Sequence, residues 1–209
     1  MRCLIILNAR DSDKDGGFYR ELAENSDIII CADGGVNLAV KIGIEPDILI
    51  GDLDSADPEL LSSLESEIIR YPADKDRTDG WLALRKAVEM GCDEIVITNA
   101  ISDRIDHTLA NIQMMLSVDA DVIISEPDME LRVMDDRRKI LKIHGKTGDR
   151  VSLIPISERV DGISLKSLKY AVENASFSIR DMNGISNEMV SESAEIGIKN
   201  GILMVVHYR

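Results

Sequence analysis

The 209-residue sequence offers very little aromatic surface: Phe, Trp and Tyr make up 3% of it, with a single tryptophan. Few residues are therefore available to stack on a ring-shaped ligand. No apolar run approaches the roughly 18 residues of a membrane-spanning helix, so no span is expected. The short apolar start, Cys3 to Leu7, is followed by acidic residues where a signal segment would carry small ones. It reads as the first strand of a cytoplasmic protein. The three cysteines, Cys3, Cys31 and Cys92, show no C-x-x-C spacing. That pattern suggests neither a zinc site nor a disulfide framework, and buried free thiols are expected. Positive charge is scarce: 24 Lys and Arg face 38 Asp and Glu, a net of −14. Such a balance argues against nucleic acid as a partner, because phosphate backbones need a basic surface. Two phosphate-binding fingerprints, G-x-x-x-x-G-K-[ST] and G-x-G-x-x-G, are missing, as is a nucleophile elbow.

What is present is unevenly placed. Residues 1–128 carry 11 Lys and Arg against 27 Asp and Glu, a net of −16, while residues 129–209 carry 13 against 11, a net of +2. The first part alternates short β-branched runs ("CLIILN", "DIIICAD", "DILIGD", "EIIRYP", "EIVITN", "DVIISE") with helical patterns. Nearly continuous apolar runs of this kind are strands buried on both faces. The helical patterns are "GGVNLAVKIG", "PELLSSLE", "RTDGWLALRKAVEMG" and "DHTLANIQMMLSVD". In the third, Trp81, Leu84 and Val88 share a face; in the fourth, Ile105, Leu109, Ile112 and Leu116 do. Trp81 has the spacing of a core residue. Strand–helix alternation predicts an α/β domain, a parallel sheet with helices packed on it, over residues 1–128. From "MELRVM" onward only strand-like pieces occur: "RRKILKIHG", "RVSLIPIS", "DGISLKS", "LKYAVEN", "SFSIRD", "AEIGIKN" and "ILMVVHY". They predict an all-β sandwich over residues 129–209.

In open parallel sheets, ligands bind beyond the carboxyl ends of the strands. Those ends carry Asp33, Gly34 and Gly35; then Asp52, Asp54 and Ser55; then Asp74, Lys75, Asp76, Arg77, Thr78 and Asp79; then Asp103, Arg104, Asp106 and His107. If the backbone stays extended, Asp52 and Asp54 lie on one face and can hold a hard cation such as Mg²⁺, with water and phosphate completing its shell. The glycines allow a backbone to approach a phosphate closely. Lys75, Arg77 and Arg104 offset phosphate charge. Each piece alone has a plainer reading. "ADGG" is an ordinary strand–helix turn, Asp76 or Thr78 caps the following helix, Asp103 caps the next, and His107 is a structural hydrogen-bonding residue. Four acidic strand ends on one sheet edge favour the shared site, and the residues alone point to Mg²⁺-dependent phosphoryl-type transfer to an unspecified acceptor.

In order along the chain, "ADGGVN", "GIEPDILIGDLDS", "KDRTD" and "RIDHTLANI", followed by "GDRVSLIPIS", "LKYAVEN" and "GISNEM", resemble the thiamine pyrophosphokinase family. The resemblance implies a homodimer that moves a diphosphate group from ATP to the thiamine hydroxyl, giving thiamine diphosphate and AMP. It implies Asp52, Asp54 and Asp79 as metal ligands, and Asp54, Asp79, Arg104 and Asp106 as catalytic residues. It places Asp33, Gly34, Gly35, Lys75, Asp76, Thr78, His107 and Asn111 at ATP, and Ser186 and Asn187 at thiamine. Asp79 and Asp106 are both candidates for the base. The family's glycines before R-x-D-H are absent: residues 99–103 read Asn-Ala-Ile-Ser-Asp, and Asp103 adds negative charge there. A related enzyme acting on another hydroxymethyl heterocycle such as a pterin, or a non-catalytic thiamine or nucleotide sensor, are the alternatives.

Overall fold

The structure, a computed structural model, describes residues 1–8, 16–54, 56, 58–72, 74 and 76–209. The chain divides into two compact units, Met1–Pro127 and Asp128–Arg209.

The first unit is built on six strands: β1 (Arg2–Ile6), β2 (Ile28–Ala32), β3 (Ile48–Gly51), β4 (Glu67–Arg70), β5 (Glu94–Thr98) and β6 (Asp121–Glu126). They lie parallel in the order β6-β5-β1-β2-β3-β4. The β-branched runs produce this arrangement because residues on both faces of the central strands are covered: Leu4, Ile5, Ile6, Ile95 and Ile97 are fully buried. The expectation of two buried faces fails at β4. It is an edge strand, and Glu67, Ile68 and Arg70 are exposed. Charged residues on such a strand discourage pairing with another sheet.

Five helices are described: α1 (Gly16–Glu24), α2 (Gly35–Lys41), α3 (Pro58–Leu61), α4 (Asp79–Glu89) and α5 (Ile105–Met114). The first was not among the expected helices. Its Tyr19 is buried, with Phe18, Leu22 and Ala23 packed against the same core. The third stops after four residues, where the Ser62 hydroxyl donates to the Glu59 carbonyl at 2.7 Å. Such side-chain-to-backbone bonds compete with helix propagation. Along α4 the buried residues are Leu84 and the small Gly80, Ala83 and Ala87, which let the helix lie close to the sheet. Trp81 is only half-buried, contrary to its expected core role. The Arg77 and Arg85 guanidinium carbons stand 4.9 and 5.8 Å from its ring centre. This cation–π cover shields a ring that the sheet does not. The expected apolar face of α5 is also open at its start: Ile105 is 68% and Leu109 52% exposed, and Leu116 lies past the helix end.

The second unit contains β7 (Met129–Met134), β8 (Ile140–His144), β9 (Arg150–Pro155), β10 (Arg159–Lys166), β11 (Ala175–Ser178), β12 (Asn187–Glu188), β13 (Ser193–Gly197) and β14 (Leu203–Tyr208). Two antiparallel layers form, β12-β9-β14-β7 and β11-β10-β13-β8. Both contribute to one core: Val151, Leu153 and Val205 from one layer, Ile143, Val160 and Ile196 from the other. "LKYAVEN" is not a strand. It is a loop bounded by Ser167 and Asn174 at φ 59° and 53°, and Leu168 makes a lone bridge to Met189.

A Cβ at Gly35 would sit 2.2 Å from the Ile6 carbonyl oxygen, backbone that cannot swing aside. Gly17, in α1, has nothing within 4 Å. Gly35→Ala is therefore expected to lower stability by about 1–3 kcal/mol through overpacking, and Gly17→Ala to raise it by about 0.5–1 kcal/mol through helix propensity. Urea denaturation of the two variants checks both signs.

Candidate active site

From β1 the chain runs to β2, β3 and β4 on one side, then returns to β5 and β6 on the other. The order reverses beside β1, and beyond the strand ends at such a reversal an open sheet has a natural crevice. A cleft of about 360 Å³ lies there. Leu7 and Asn8 line it after β1, Ala32 and Asp33 at the end of β2, Thr78, Asp79 and Gly80 at the start of α4, and Ser102, His107, Ala110 and Asn111 around α5. Asp33, Thr78, Asp79, His107 and Asn111 were expected in a ligand site. Asn8 and Ser102 were not, although Asn8 ends the run "CLIILN" and so marked the first strand's carboxyl end.

One carboxylate oxygen from each of Asp33, Asp52 and Asp54 lies within 4.8 Å of the other two. Asp79 is not part of this trio, so the metal-type cluster contains Asp33 in the place expected for Asp79. Asp33 Oδ1 is buried with no hydrogen-bond partner, one of two such side-chain atoms among the described residues. A buried acceptor without a donor and two carboxylates beside it form a hard-oxygen set that suits Mg²⁺. The extended backbone expected between Asp52 and Asp54 is not found. Leu53 has φ 60° and is buried, so the chain turns back after β3 and carries both carboxylates to one place. Asp33 also has a left-handed φ of 48°, and its N–H donates to the Ile50 carbonyl at 2.8 Å, which ties the ends of β2 and β3 together. A Cβ at Gly51 would lie 3.1 Å from Asp79 Oδ1 and 3.3 Å from Asp33 Cα. Glycine at this position thus lets Asp79 sit directly over the end of β3.

The Thr78 hydroxyl accepts from the Trp81 N–H at 3.2 Å and caps α4. Asp79 follows in the first turn, where the helix dipole favours a carboxylate. Gly34 and Gly35 have a packing reason: their absent Cβ atoms would meet the Asn8 side chain at 2.3 Å and the Ile6 carbonyl at 2.2 Å. Their close approach is to the end of β1. Asp76 is exposed. Lys75 and Ser55 lie outside the described residues.

Arg104 and Asp106 are not in the lining of the cleft. They pair with each other, Nη2 to Oδ2 at 2.6 Å, and each is about two-thirds exposed, at 65% and 63%. The Arg104 hydrogen bond holds the Asp106 carboxyl below the usual range, which makes it a weaker proton acceptor. In the glycine-free stretch, Asn99 takes a left-handed φ of 54° and its carboxamide donates to the Leu7 carbonyl at 2.7 Å. Asn is among the few side chains that tolerate this conformation. Asp103 is exposed.

In the second unit a cleft of about 540 Å³ is lined by Gly148, Asp149, Arg150, Ser152, Ile185, Ser186, Tyr208 and Arg209. Ser186 is there, at φ 60°, its N–H donating to Ser152 Oγ at 3.1 Å. Asn187 is not. It is buried, its Oδ1 accepts from Tyr170 N–H at 3.0 Å, and its Nδ2 donates to the Tyr170 carbonyl at 3.1 Å. That carboxamide fastens the chain at Tyr170, and the structure does not bring Asn187 into the lining of this cleft with Ser186. A larger groove, about 730 Å³, is rimmed by Lys139, Lys166 and Lys199. Lys139 pairs with Asp136, Lys166 with Glu195 and Lys199 with Asn174, at 2.9, 2.7 and 2.8 Å. The three-carboxylate cluster lies instead in the first unit, where its Asp33 also lines the cleft.

Residues 19–124 match the family profile of the thiamin pyrophosphokinase catalytic domain, and residues 138–203 that of the thiamin pyrophosphokinase vitamin B1 binding domain. Among curated relatives, thiamine pyrophosphokinase of Bacillus subtilis is 28% identical over 188 residues, covering 85% of each chain. Thiamine pyrophosphokinase 3 of Oryza sativa subsp. japonica is 26% identical over 226 residues, covering 93% of this chain and 82% of the relative. Among solved structures, the Bacillus subtilis thiamine pyrophosphokinase superposes with a TM-score of 0.86 at 22% identity, covering 100% of this chain and 99% of the other. The thiamin pyrophosphokinase of Geobacillus thermodenitrificans does so with 0.83 at 25% identity, covering 100% and 98%. With one profile matching the α/β unit and the other the β unit, the chain belongs to the thiamine pyrophosphokinase family.

Proposed function

We propose that this protein transfers the diphosphate group of ATP to the hydroxyl of thiamine, giving thiamine diphosphate and AMP. The observation that carries the reading is the trio Asp33, Asp52 and Asp54 beside a cleft at the sheet's reversal point, in a chain of this family. Family membership favours neither the pterin alternative nor the sensor. The α/β unit is the ATP- and Mg²⁺-binding part in this proposal, and the β unit contributes the thiamine side through Ser186.

The reaction depends on positioning and charge more than on covalent chemistry. Asp33, Asp52 and Asp54 would hold Mg²⁺, which when bound neutralises phosphate charge. The thiamine hydroxyl oxygen attacks the β-phosphorus of ATP, the bond from that phosphorus to the α–β bridging oxygen breaks, and AMP leaves. The hydroxyl proton goes to a carboxylate. Asp79 is the stronger candidate for it, because it lines the cleft whereas Asp106 is committed to Arg104. Asp106 then serves as the tether that holds the Arg104 guanidinium at the start of α5. Thr78 sets the first turn that carries Asp79, and His107 and Asn111 contact the nucleotide from α5. Exposed apolar residues support a homodimer: Ile105 and Leu109 on α5, and Ile179, Met182 and Ile185 before Ser186. No helix among the described residues is long and apolar enough to cross a membrane. A cytoplasmic location accords with that and with three buried, unpaired cysteines.

Incubation with ATP, Mg²⁺ and thiamine, followed by separation of products, is expected to give AMP and thiamine diphosphate in equal amounts. ADP with thiamine monophosphate, or no product from folded protein, would overturn the assignment. Asp33→Asn and Asp54→Asn are each expected to lower kcat/KM by about 10²-fold or more. They should also weaken Mg²⁺ binding in calorimetric titration while leaving the fold unchanged by circular dichroism. Asp79→Asn should lower kcat by a similar factor, about 10²-fold. Asp106→Asn should keep the low-pH limb of the rate profile and lose less than tenfold. A reversed ranking assigns the proton to Asp106.

A further inference from the structure

The backbone of residues 99–102 forms a small anion nest. Asn99 is left-handed, and the next two N–H groups, of Ala100 and Ile101, converge on one point. Successive amides in this geometry make a concavity for an anion such as a phosphate. Here the anion is internal. Glu126, the last residue of β6, is only 7% exposed, and its Oε1 accepts from Ala100 N–H at 2.7 Å and from Ile101 N–H at 3.3 Å. Other backbone groups of the loop are also taken. Thr108 Oγ1 accepts from Ser102 N–H at 2.9 Å and donates to the Ser102 carbonyl at 3.1 Å, and Asn111 Nδ2 donates to the Ala100 carbonyl at 2.8 Å. The amides of Ala100, Ile101 and Ser102 are therefore turned into the protein and cannot serve a ligand's phosphate.

We infer that Glu126 is a positioning residue for the nucleotide side of the cleft: its carboxylate fills the nest after β5 and fixes the loop that presents Ser102 and anchors Asn111. The inference rests on the proposed use of this cleft for ATP. A charge-assisted pair of backbone bonds in a buried site fixes a loop more firmly than solvent would. Neither Glu126 nor Thr108 stood out in the sequence, because a single Glu at the end of a strand looks like an ordinary surface residue.

Glu126→Gln, Glu126→Asp and Glu126→Ala test it. The glutamine keeps an acceptor oxygen at the same reach, the aspartate is one methylene short, and the alanine empties the nest. With ATP and thiamine varied separately, Glu126→Ala is expected to raise KM for ATP about tenfold or more, with KM for thiamine unchanged. Glu126→Asp should fall between, and Glu126→Gln should stay within about threefold of wild type. Calorimetric binding of α,β-methylene-ATP with Mg²⁺ should follow the same order. If a folded Glu126→Ala protein binds the analogue as wild type does, or if Gln and Ala lose affinity equally, the inference is overturned. Should Glu126→Ala not fold, an unchanged affinity in Glu126→Asp overturns it as well. The binding arm needs no turnover, so failure of the proposed reaction and failure of this inference are read separately.

Discussion

Three carboxylates gathered within a few ångströms are the constraint around which the first unit is arranged. Two like charges about 4 Å apart repel by about 1 kcal/mol in water and about 4 kcal/mol where the effective dielectric constant is near 20. Left to itself, the end of β3 would swing Asp52 and Asp54 apart into solvent. The intervening residue prevents this. Leu53 is buried in the core formed with Leu49 and Ala56, and its anchored side chain holds the turn that brings both flanking carboxylates to Asp33. Burying a leucine contributes about 1.5–3 kcal/mol, enough to offset the roughly 1–2 kcal/mol that a left-handed φ costs a residue with a β-carbon. The charge cluster thus depends on an apolar contact that no charge pattern reveals.

Close approach is the second element of the arrangement. Gly35 seats α2 on the end of β1, Gly51 lets Asp79 stand over the end of β3, and Gly80 places α4 against Leu7, whose Cδ2 would be 3.2 Å from an added Cβ. Each glycine removes a side chain where two elements that carry site residues meet. The helix starts and strand ends are thereby drawn onto one edge, and the cleft lies among them. Thr78 fixes the first turn of α4 from the other direction, so Asp79 is held both by its cap and by the space beneath it.

The sequence displayed the strands of the first unit plainly, because residues covered on both faces leave nearly unbroken β-branched runs. It displayed the acidic strand ends for the same reason: they follow those runs directly. Less visible was everything decided by which face is covered. Trp81 has core spacing, yet the small residues Ala83 and Ala87 take the sheet contact and the ring is left to two guanidiniums. Ile105 and Leu109 have the period of a buried stripe but stand open in the chain by itself. α1 was obscured because it follows an acidic stretch and opens on two poor helix formers, Gly16 and Gly17, ahead of Tyr19. In the second unit, Ser186 and Asn187 are neighbours in one motif. A single step along the backbone nevertheless turns one to a cleft and the other into the protein, and only the pairing of Asn187 with Tyr170 separates them.

The positive-φ residues show where the first unit departs from regular geometry. Its described non-glycine examples are Asp33, Leu53 and Asn99, after β2, β3 and β5. All three lie at the carboxyl edge, and the strands behind them are buried and regular. Backbone in sparsely populated regions persists only where its surroundings over-determine it, and it gathers at functional edges. Asn99 is instructive because glycine is the residue that reaches this φ most easily. Glycine reaches a positive φ without strain but gives the unfolded chain more freedom to lose. Asn99 gives up that ease, and in exchange its carboxamide bonds the Leu7 carbonyl, joining the end of β5 to the end of β1. With Asn111 bonded to Ala100 from the other side, the loop is stiffened by side chains where a glycine loop relies on backbone freedom. A rigid loop presents Ser102 in one place, so these side-chain bonds exchange adaptability for pre-organisation at the same edge.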